Sequence, residues 1–314
     1  MKRTLTVAAT ALFAASAHAQ VLGIGTAPAG SIGYNMGSAI AKVLAEKADV
    51  QSRVQPSSGS SAVFPLVNSG ELDLTVGNTL EIQEATEGEG PYQGRKQDKL
   101  RVVGVLFPLN VGLFVKKDSP VASIADLKGK RVVYGFTAQV TINRVINGIL
   151  ANGGLAGSDI SPDMVPNVVR GADDFAESKA DAGFFAVGAG KVAEVDKTTG
   201  GIRFLSMSDD PKAVAAMRRF VPYAYINEVK PAPSFAGVVG PTKLMAYDYL
   251  LIAGAHVKDD TVYRIVKTLH ANKEALVASF RPFGGFKPDA MHKDVPAAYH
   301  PGALKFYRES GMAK

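Results

Sequence analysis

Three times between residues 21 and 83 an apolar run gives way to a loop of Gly, Ser, Thr or Asn and then to a helix start. The runs are 21–24, 50–54 and 72–76, the second of mixed polarity, and the loops are 25–33, 56–61 and 77–79. Short buried strands each followed by a helix predict a parallel sheet. In such a sheet the loops leaving the strand C-terminal ends gather at one edge. Here they carry small residues, hydroxyls and amides and almost no charge. That edge suits the holding of a small molecule by backbone N–H groups and hydroxyls, not acid–base chemistry.

Residues 34–47 predict a helix with Met36, Ile40, Val43 and Leu44 on one face and Lys42, Glu46 and Lys47 outside. A second covers 60–69, with Val63, Leu66 and Val67 inward and Ser60 or Ser61 as its cap. A third covers 81–87 and stops at Gly88, before an exposed loop over 88–99. Two apolar segments, 100–107 and 111–116, are separated by Pro108-Leu109-Asn110. Ser123 starts a helix that Gly129 stops, and a strand begins at Val132. The strand–loop–helix pattern then restarts, with a polar loop over 137–141, a helix over 142–152 and further elements at 171–178, 182–187, 188–195 and 202–205. An apolar strand over 247–253 resembles 111–116 and is expected beside it as a return crossover. A helix comes next over 259–280, then a loop over 281–296, and Pro301 sits in the first turn of a last helix. The pattern predicts an α/β chain of two domains joined by two crossover strands, the architecture of a two-domain, type II-like binding protein whose interdomain cleft closes by hinge motion. The expected boundaries are 20–112 plus 253–314 for the first domain and 113–252 for the second, with the return crossover near 247–252.

Met1-Lys2-Arg3, a short apolar stretch from Leu5 to Ala15 and Ala17-His18-Ala19 before Gln20 read as a cleavable signal peptide over 1–19. That places the mature chain in the periplasm. The stretch is too short to span a bilayer comfortably, and no Cys comes after it for a lipid anchor. The chain has no cysteine, so neither disulfides nor thiolate metal sites are expected. About 295 mature residues suffice for two α/β cores. Loss of Lys2 and Arg3 lowers the formal charge from +6 to +4. The remaining basic residues are dispersed, which argues against nucleic acid, while a modest positive field favours anions.

Several stretches together resemble the TAXI-type solute-binding subunits of TRAP transporters over the whole mature chain. They are Gly25-Thr26 through Gly33-Tyr34, Ser57-Ser58-Gly59-Ser60, Ser69-Gly70-Glu71-Leu72-Asp73-Leu74, Asp181-Ala182-Gly183-Phe184-Phe185, and His300-Pro301-Gly302-Ala303 followed by Phe306-Tyr307-Arg308-Glu309 and Gly311. The resemblance implies capture of a small organic anion and its delivery to a permease driven by an ion gradient. Two departures lie where ligand should sit. Ala138-Gln139-Val140-Thr141 replaces the family's second-domain G-S-G-T loop, and Ala27-Pro28-Ala29 stands where glycines are common. No specific ligand is therefore carried over.

Ser57, Ser58, Gly59 and Ser60 at a helix start can offer N–H groups and hydroxyls to a carboxylate; the plainer reading is a capped turn. Thr26, Ser31 and Tyr34 are ligand candidates from the first loop, against simple turn chemistry and packing. Asn78 and Thr79 come directly after a strand, and Gln139, Thr141 and Asn143 would face them from the second domain. Of Phe184 and Phe185, one is expected in the core and Phe184 is taken to line the cleft; the plainer reading puts both in the core. Arg144 and Arg170 are candidates for a bidentate carboxylate contact. The histidines lack metal-ligand spacing, the Gly23-x-Gly25 start does not continue as a dinucleotide fingerprint, and the Ser-rich loop lacks a nucleophile context. The expectation is a monomeric receptor for a small-molecule organic anion that partners membrane permease subunits, with no cofactor, no metal and no catalysis. Two alternatives stay open: a periplasmic sensor adaptor, and a lyase or dehydratase on the same fold. The second needs a cleft acid or base, and Glu81 is the one the predicted loops offer.

Overall fold

The first repeat sets the sheet. β1 (Leu22–Thr26) is buried throughout, and α1 (Ile32–Ala48) returns across the sheet with Met36, Ile40, Val43 and Leu44 inward. The helix begins ahead of residue 34 because Ser31 caps it, its Oγ accepting the Tyr34 N–H at 3.2 Å. β2 (Ser52–Pro56) pairs in parallel with β1. It is the outer strand and half exposed, which explains the mixed polarity of the second run. α2 (Ser60–Ser69) leads to β3 (Leu74–Asn78), also buried throughout and parallel to β1, and then to α3 (Thr79–Glu87). The computed structural model describes residues 21–313, so the leader expected over 1–19 lies outside the described residues.

β4 (Leu100–Lys116) corrects the expectation of two segments. It runs unbroken through Pro108. Proline is tolerated there because the outer edge lies between a bridge to Tyr299 at Val102 and the pairing that starts at Val111, so no ladder bond on that edge is lost. The helix predicted after Ser123 shrinks to a single turn over Ala125–Leu127, because the Asp126 carboxylate accepts the Ser123 N–H, the Ser123 hydroxyl and the Ala122 N–H. The second unit contains β5 (Arg131–Tyr134), α4 (Thr141–Asn152), β6 (Ser161–Met164), α5 (Val168–Ala176), β7 (Gly183–Ala186), α6 (Gly190–Thr198), β8 (Ile202–Phe204), α7 (Pro211–Arg218) and β9 (Tyr225–Val229). β6, α7 and β9 escape the sequence pattern. β6 is short and largely exposed, β9 is short and mostly half-buried, and α7 buries only Met217.

β10 (Thr242–Gly254) runs antiparallel to β4 along nearly its whole length. Its first half also pairs with β9, and its second half with β3. The two long strands thus join two α/β lobes, the fold class the pattern predicts. α8 (Asp259–Ala271) and α9 (Lys273–Ser279) replace the single helix predicted over 259–280. The break is at Asn272, which leaves helical geometry while its side-chain amide donates to the Thr268 carbonyl at 2.7 Å. α10 (Pro301–Glu309) closes the chain on the first lobe.

In that lobe the crossover strands alternate between two cores. Leu250 and Ile252 join Val63, Phe64 and Ile82 beneath α2 and α3. Leu251 and Ala253 join Ile40, Val43, Ile265 and Leu269 beneath α1 and α8. Burial on both faces of a sheet needs near-continuous apolar strands, which is what 247–253 supplies.

Candidate functional site

Four helix N-termini converge where the lobes meet. α1 brings Ser31, Ile32 and Gly33, and α3 brings Asn78 and Glu81. From the second lobe come Gln139 and Ile142 at the start of α4 and Val168 at the start of α5. The crossover strands supply a floor of Leu109, Val111, Tyr247 and Tyr249, and Phe184, Phe185 and Ala186 close the side. These groups enclose a cavity of about 60 Å³.

Helix capping decides which atoms face this space. Ser31 Oγ accepts the Tyr34 N–H. Asn78 Oδ1 accepts the Leu80 and Glu81 N–H groups, both at 3.0 Å. Gln139 Oε1 accepts the Val168 N–H at 2.8 Å. With the amide oxygens committed to backbone, the NH₂ ends of Asn78 and Gln139 and the Ser31 hydroxyl hydrogen remain as donors. Tyr247 and Tyr249 are 3% and 7% exposed. Neither hydroxyl has a hydrogen-bond partner among the described residues. The Tyr249 hydroxyl sits so close to α1 that a Cβ added to Gly33 would lie 2.9 Å from it. Burial first, and the Glu81 charge second, hold both phenols well above the ordinary tyrosine range, so they remain donors. Glu81, 8% exposed, is the only charged side chain lining the cavity. Its Oε2 accepts the Asn78 N–H at 3.1 Å and completes a capping box.

The lobes also touch directly. One turn beyond Glu81, the Glu84 side chain is 1% exposed and reaches across to α4. There the Thr141 hydroxyl donates to Oε2 at 2.5 Å and Arg144 Nη1 donates to Oε1 at 2.6 Å. The Lys191 N–H donates to the Gly30 carbonyl at 3.2 Å. Gly59 packs so tightly that an added Cβ would lie 2.2 Å from the Ala138 carbonyl oxygen.

Of the residues expected at the site, Ser31, Asn78, Gln139 and Phe184 line the cavity. Thr26 lies beneath it at the end of β1, its hydroxyl donating to the Ala27 carbonyl and its carbonyl accepting the Ser57 N–H. Tyr34 points to a shallow surface pocket beside Lys42 and Phe280. Ser57 is half-buried and Ser58 exposed, Gly59 faces Ala138, and Ser60 opens α2. Thr79 is buried with its hydroxyl unpartnered among the described residues. Thr141 is held by Glu84. Asn143 ties down its own loop, accepting from the Gly135 and Phe136 N–H groups and donating to the Phe136 carbonyl. Arg144 is engaged by Glu84, and Arg170 by Asp174 and Glu177, so neither lines the cavity. Tyr247, Tyr249 and the latch of Glu84 are absent from the sequence reading.

A larger open groove of about 640 Å³ lies beside Asn110, between the end of β9 with the segment after it, 227–235, and Arg281–Gly285. None of its polar side chains is buried, so it is a poorer site for a small polar ligand. Among the described residues no cluster of His, Asp or Glu is arranged to hold a metal ion, and no helix is long and apolar enough to cross a membrane.

Two α/β lobes, two crossover strands and a cavity between them define the periplasmic-binding-protein-like fold. The chain belongs to the NMT1-like family, whose model matches residues 24–311. Its structure is similar to that of PhnD1 from Prochlorococcus marinus in complex with methylphosphonate, with 13% identity over 93% of this chain and 98% of that one and a TM-score of 0.57. It is also similar to an ancestral arginine-binding protein bound to arginine, with 16% identity, coverages of 85% and 100% and a TM-score of 0.52. The amino acid ABC transporter substrate-binding protein AbpA from Streptococcus pneumoniae, bound to L-arginine, matches with 14% identity, coverages of 87% and 96% and a TM-score of 0.51.

Proposed function

We propose that this protein is an extracytoplasmic receptor that encloses a small organic anion, a carboxylate, between its lobes and hands it to a membrane permease. The observation that carries this reading is the donor-lined cavity, enclosed by both lobes, in which the caps on Ser31, Asn78 and Gln139 turn N–H and O–H groups inward. Helix N-termini add a favourable potential for an anion. We assign residues 20–112 plus 253–314 to one domain and 113–252 to the other, with ligand-driven closure about β4 and β10. The signal-like leader supports a periplasmic location. The resemblance to TAXI-type subunits supports a TRAP-type, ion-gradient-driven permease as partner. AbpA, a protein of an ABC transporter, supports an ABC permease as the second pairing. A catalytic role is disfavoured because the only carboxylate in the cavity, Glu81, is engaged at the start of α3.

A thermal-shift screen of residues 20–314 against monocarboxylates, dicarboxylates, amino acids, keto acids and aromatic acids tests the receptor reading. A ligand that binds only the folded state raises Tm by mass action. No shift from any acid, with native mass spectrometry showing an empty cleft, overturns it. Conversion of a bound acid to product would instead support the lyase alternative. Loss of uptake on deletion, against loss of signalling, separates transport from sensing.

A further inference from the structure

We infer that the open groove beside Asn110 is a docking surface for an acidic segment of a protein partner, one that carries apolar side chains between its carboxylates. The inference goes beyond the receptor reading and makes no use of the enclosed cavity. The groove is a hollow of about 640 Å³ whose two walls come from different lobes. The end of β9 and the segment after it form one wall, and Arg281–Gly285 with Lys287 form the other. Its lining sorts by depth. Ile32, Phe107, Val187 and Pro282 are buried and apolar, whereas Lys230, Arg281 and Lys287 are exposed. None of these three cationic side chains has a hydrogen-bond or ion-pair partner among the described residues. Glu228, also exposed, is the single acid that lines the groove with them. The rim therefore holds an unbalanced positive charge above an apolar bottom.

That combination selects the occupant. A lone small anion would meet solvated, flexible cations, and an exposed ion pair contributes little. A flat anionic bilayer surface could reach the rim but not the buried apolar residues of a hollow. A peptide segment meets both layers at once, with carboxylates at the rim and apolar side chains below. The groove is also preformed, which lowers the ordering cost of docking. Pro231 and Pro233 fix the backbone φ of one wall, where the Phe235 N–H donates to the Ala232 carbonyl at 2.9 Å. The walls meet where Gly188 of the second lobe packs on Pro282 of the first, so closely that an added Cβ would lie 2.8 Å from the proline ring.

Fluorescence anisotropy of residues 20–314 with three labelled synthetic peptides provides the test. In the first, Asp and Glu alternate with Leu and Phe; the second has Ala in place of Leu and Phe; the third has Lys in place of the acids. The first should bind saturably and more tightly than the second, and the third should not bind. Lys230→Glu, Arg281→Glu and Lys287→Glu should each weaken the first peptide about fivefold, and the triple variant about 100-fold, since each reversal removes an exposed pair and adds a repulsion. The triple variant should in turn bind the Lys peptide. Lys212→Glu, at an exposed lysine of α7 outside the groove, makes the same change in net charge and should alter affinity less than about twofold. No saturable binding of the first peptide overturns the docking surface, as does equal binding of the Ala peptide or an equal loss in Lys212→Glu. Phosphatidylglycerol vesicles that bind wild type but not the triple variant, with no peptide bound, overturn it in favour of a membrane surface. All of these variants should keep the wild-type Tm and its response to any acid of the thermal-shift panel, so failure of the docking surface and failure of the receptor reading are read separately.

Discussion

On the proposed receptor reading, Glu84 is the group through which closure of the two lobes would be perturbed with least damage elsewhere. It belongs to α3, while both its partners, Thr141 and Arg144, belong to α4 in the other lobe. Removing the contact therefore acts on the equilibrium between closed and open lobes more than on either lobe's own folding. Glu84→Gln keeps an acceptor for the Thr141 hydroxyl and loses the ion pair. The Glu84 side chain is almost fully buried, but Arg144 is about one-third exposed, at 36%. The pair thus falls between an exposed one, worth up to about 1 kcal/mol, and a buried one, whose breaking costs about 3–5 kcal/mol. A loss of about 1–2 kcal/mol shifts the closed-to-open ratio roughly 5–30-fold. Affinity for the tightest acid from the thermal-shift panel should fall by that factor, and small-angle scattering of the ligand-free protein should report a larger radius of gyration. A double-mutant cycle with Arg144→Met isolates the coupling. Wild-type affinity and scattering in Glu84→Gln, with a coupling energy below about 0.3 kcal/mol, the usual error of additivity, would refute the latch.

Three further outcomes rest on the same geometry. Tyr247→Phe and Tyr249→Phe should each lower ligand affinity roughly 10–100-fold, since a hydrogen bond to a charged group contributes about 1.5–3 kcal/mol; wild-type affinity in both variants would remove the phenols from the site. Because both phenols are held protonated, wild-type affinity should not change between pH 6 and about 9. Gly59→Ala should weaken binding without lowering the stability of either lobe, because Gly59 is in extended geometry that any residue adopts and the added methyl meets only the Ala138–Gln139 segment across the cleft; an unchanged Kd argues against closure through this contact. His300, 1% exposed at the start of α10, has its Nδ1 accepting the Gly302 N–H, and burial holds its pKa below the usual value. The unfolded chain then binds the proton that the native imidazole resists, so stability is full above about pH 6.5 and declines as pH falls below it toward the depressed native value. Thermal melts of His300→Asn, which keeps a capping acceptor, should lose that part of the pH dependence.

The features legible in the sequence are those that local chemistry decides. The strands leading to Ser31 and Asn78 are legible because they are apolar throughout, and both residues stand in the polar loops that come after them, whereas the cap that starts α1 at Ser31 is seen only in the structure. The crossover strands were readable because each is apolar along a length that only burial on both faces requires. Continuity through Pro108 was not, since it depends on which stretch of β4 lacks an outer neighbour. Arg144 stood beside a polar loop with no visible partner and so resembled a ligand clamp. Its carboxylate is Glu84, 60 residues earlier in the chain, and no periodicity links the two.

The same limit explains the tyrosines and leads to a wider point about this cavity. On a strand buried on both faces, Tyr247 and Tyr249 have the spacing of core residues, and nothing in the pattern separates a phenol packed in a core from one facing a cleft. The distinction depends on the far wall, which is built by α4 and α5 of the other lobe. Until the lobes meet, the Gln139 amide and the phenol hydroxyls have no common space. Once they meet, the caps that start the helices also fix the polarity of the cavity, because an amide whose oxygen accepts a backbone N–H must present its NH₂ group elsewhere. On the proposed receptor reading, helix starts and ligand preference are set by the same hydrogen bonds. A substitution that reverses one cap, such as Gln139→Glu, would place an acceptor where the present geometry offers a donor. Such a variant should retain α5, since Glu also accepts the Val168 N–H, yet lose affinity for an anion.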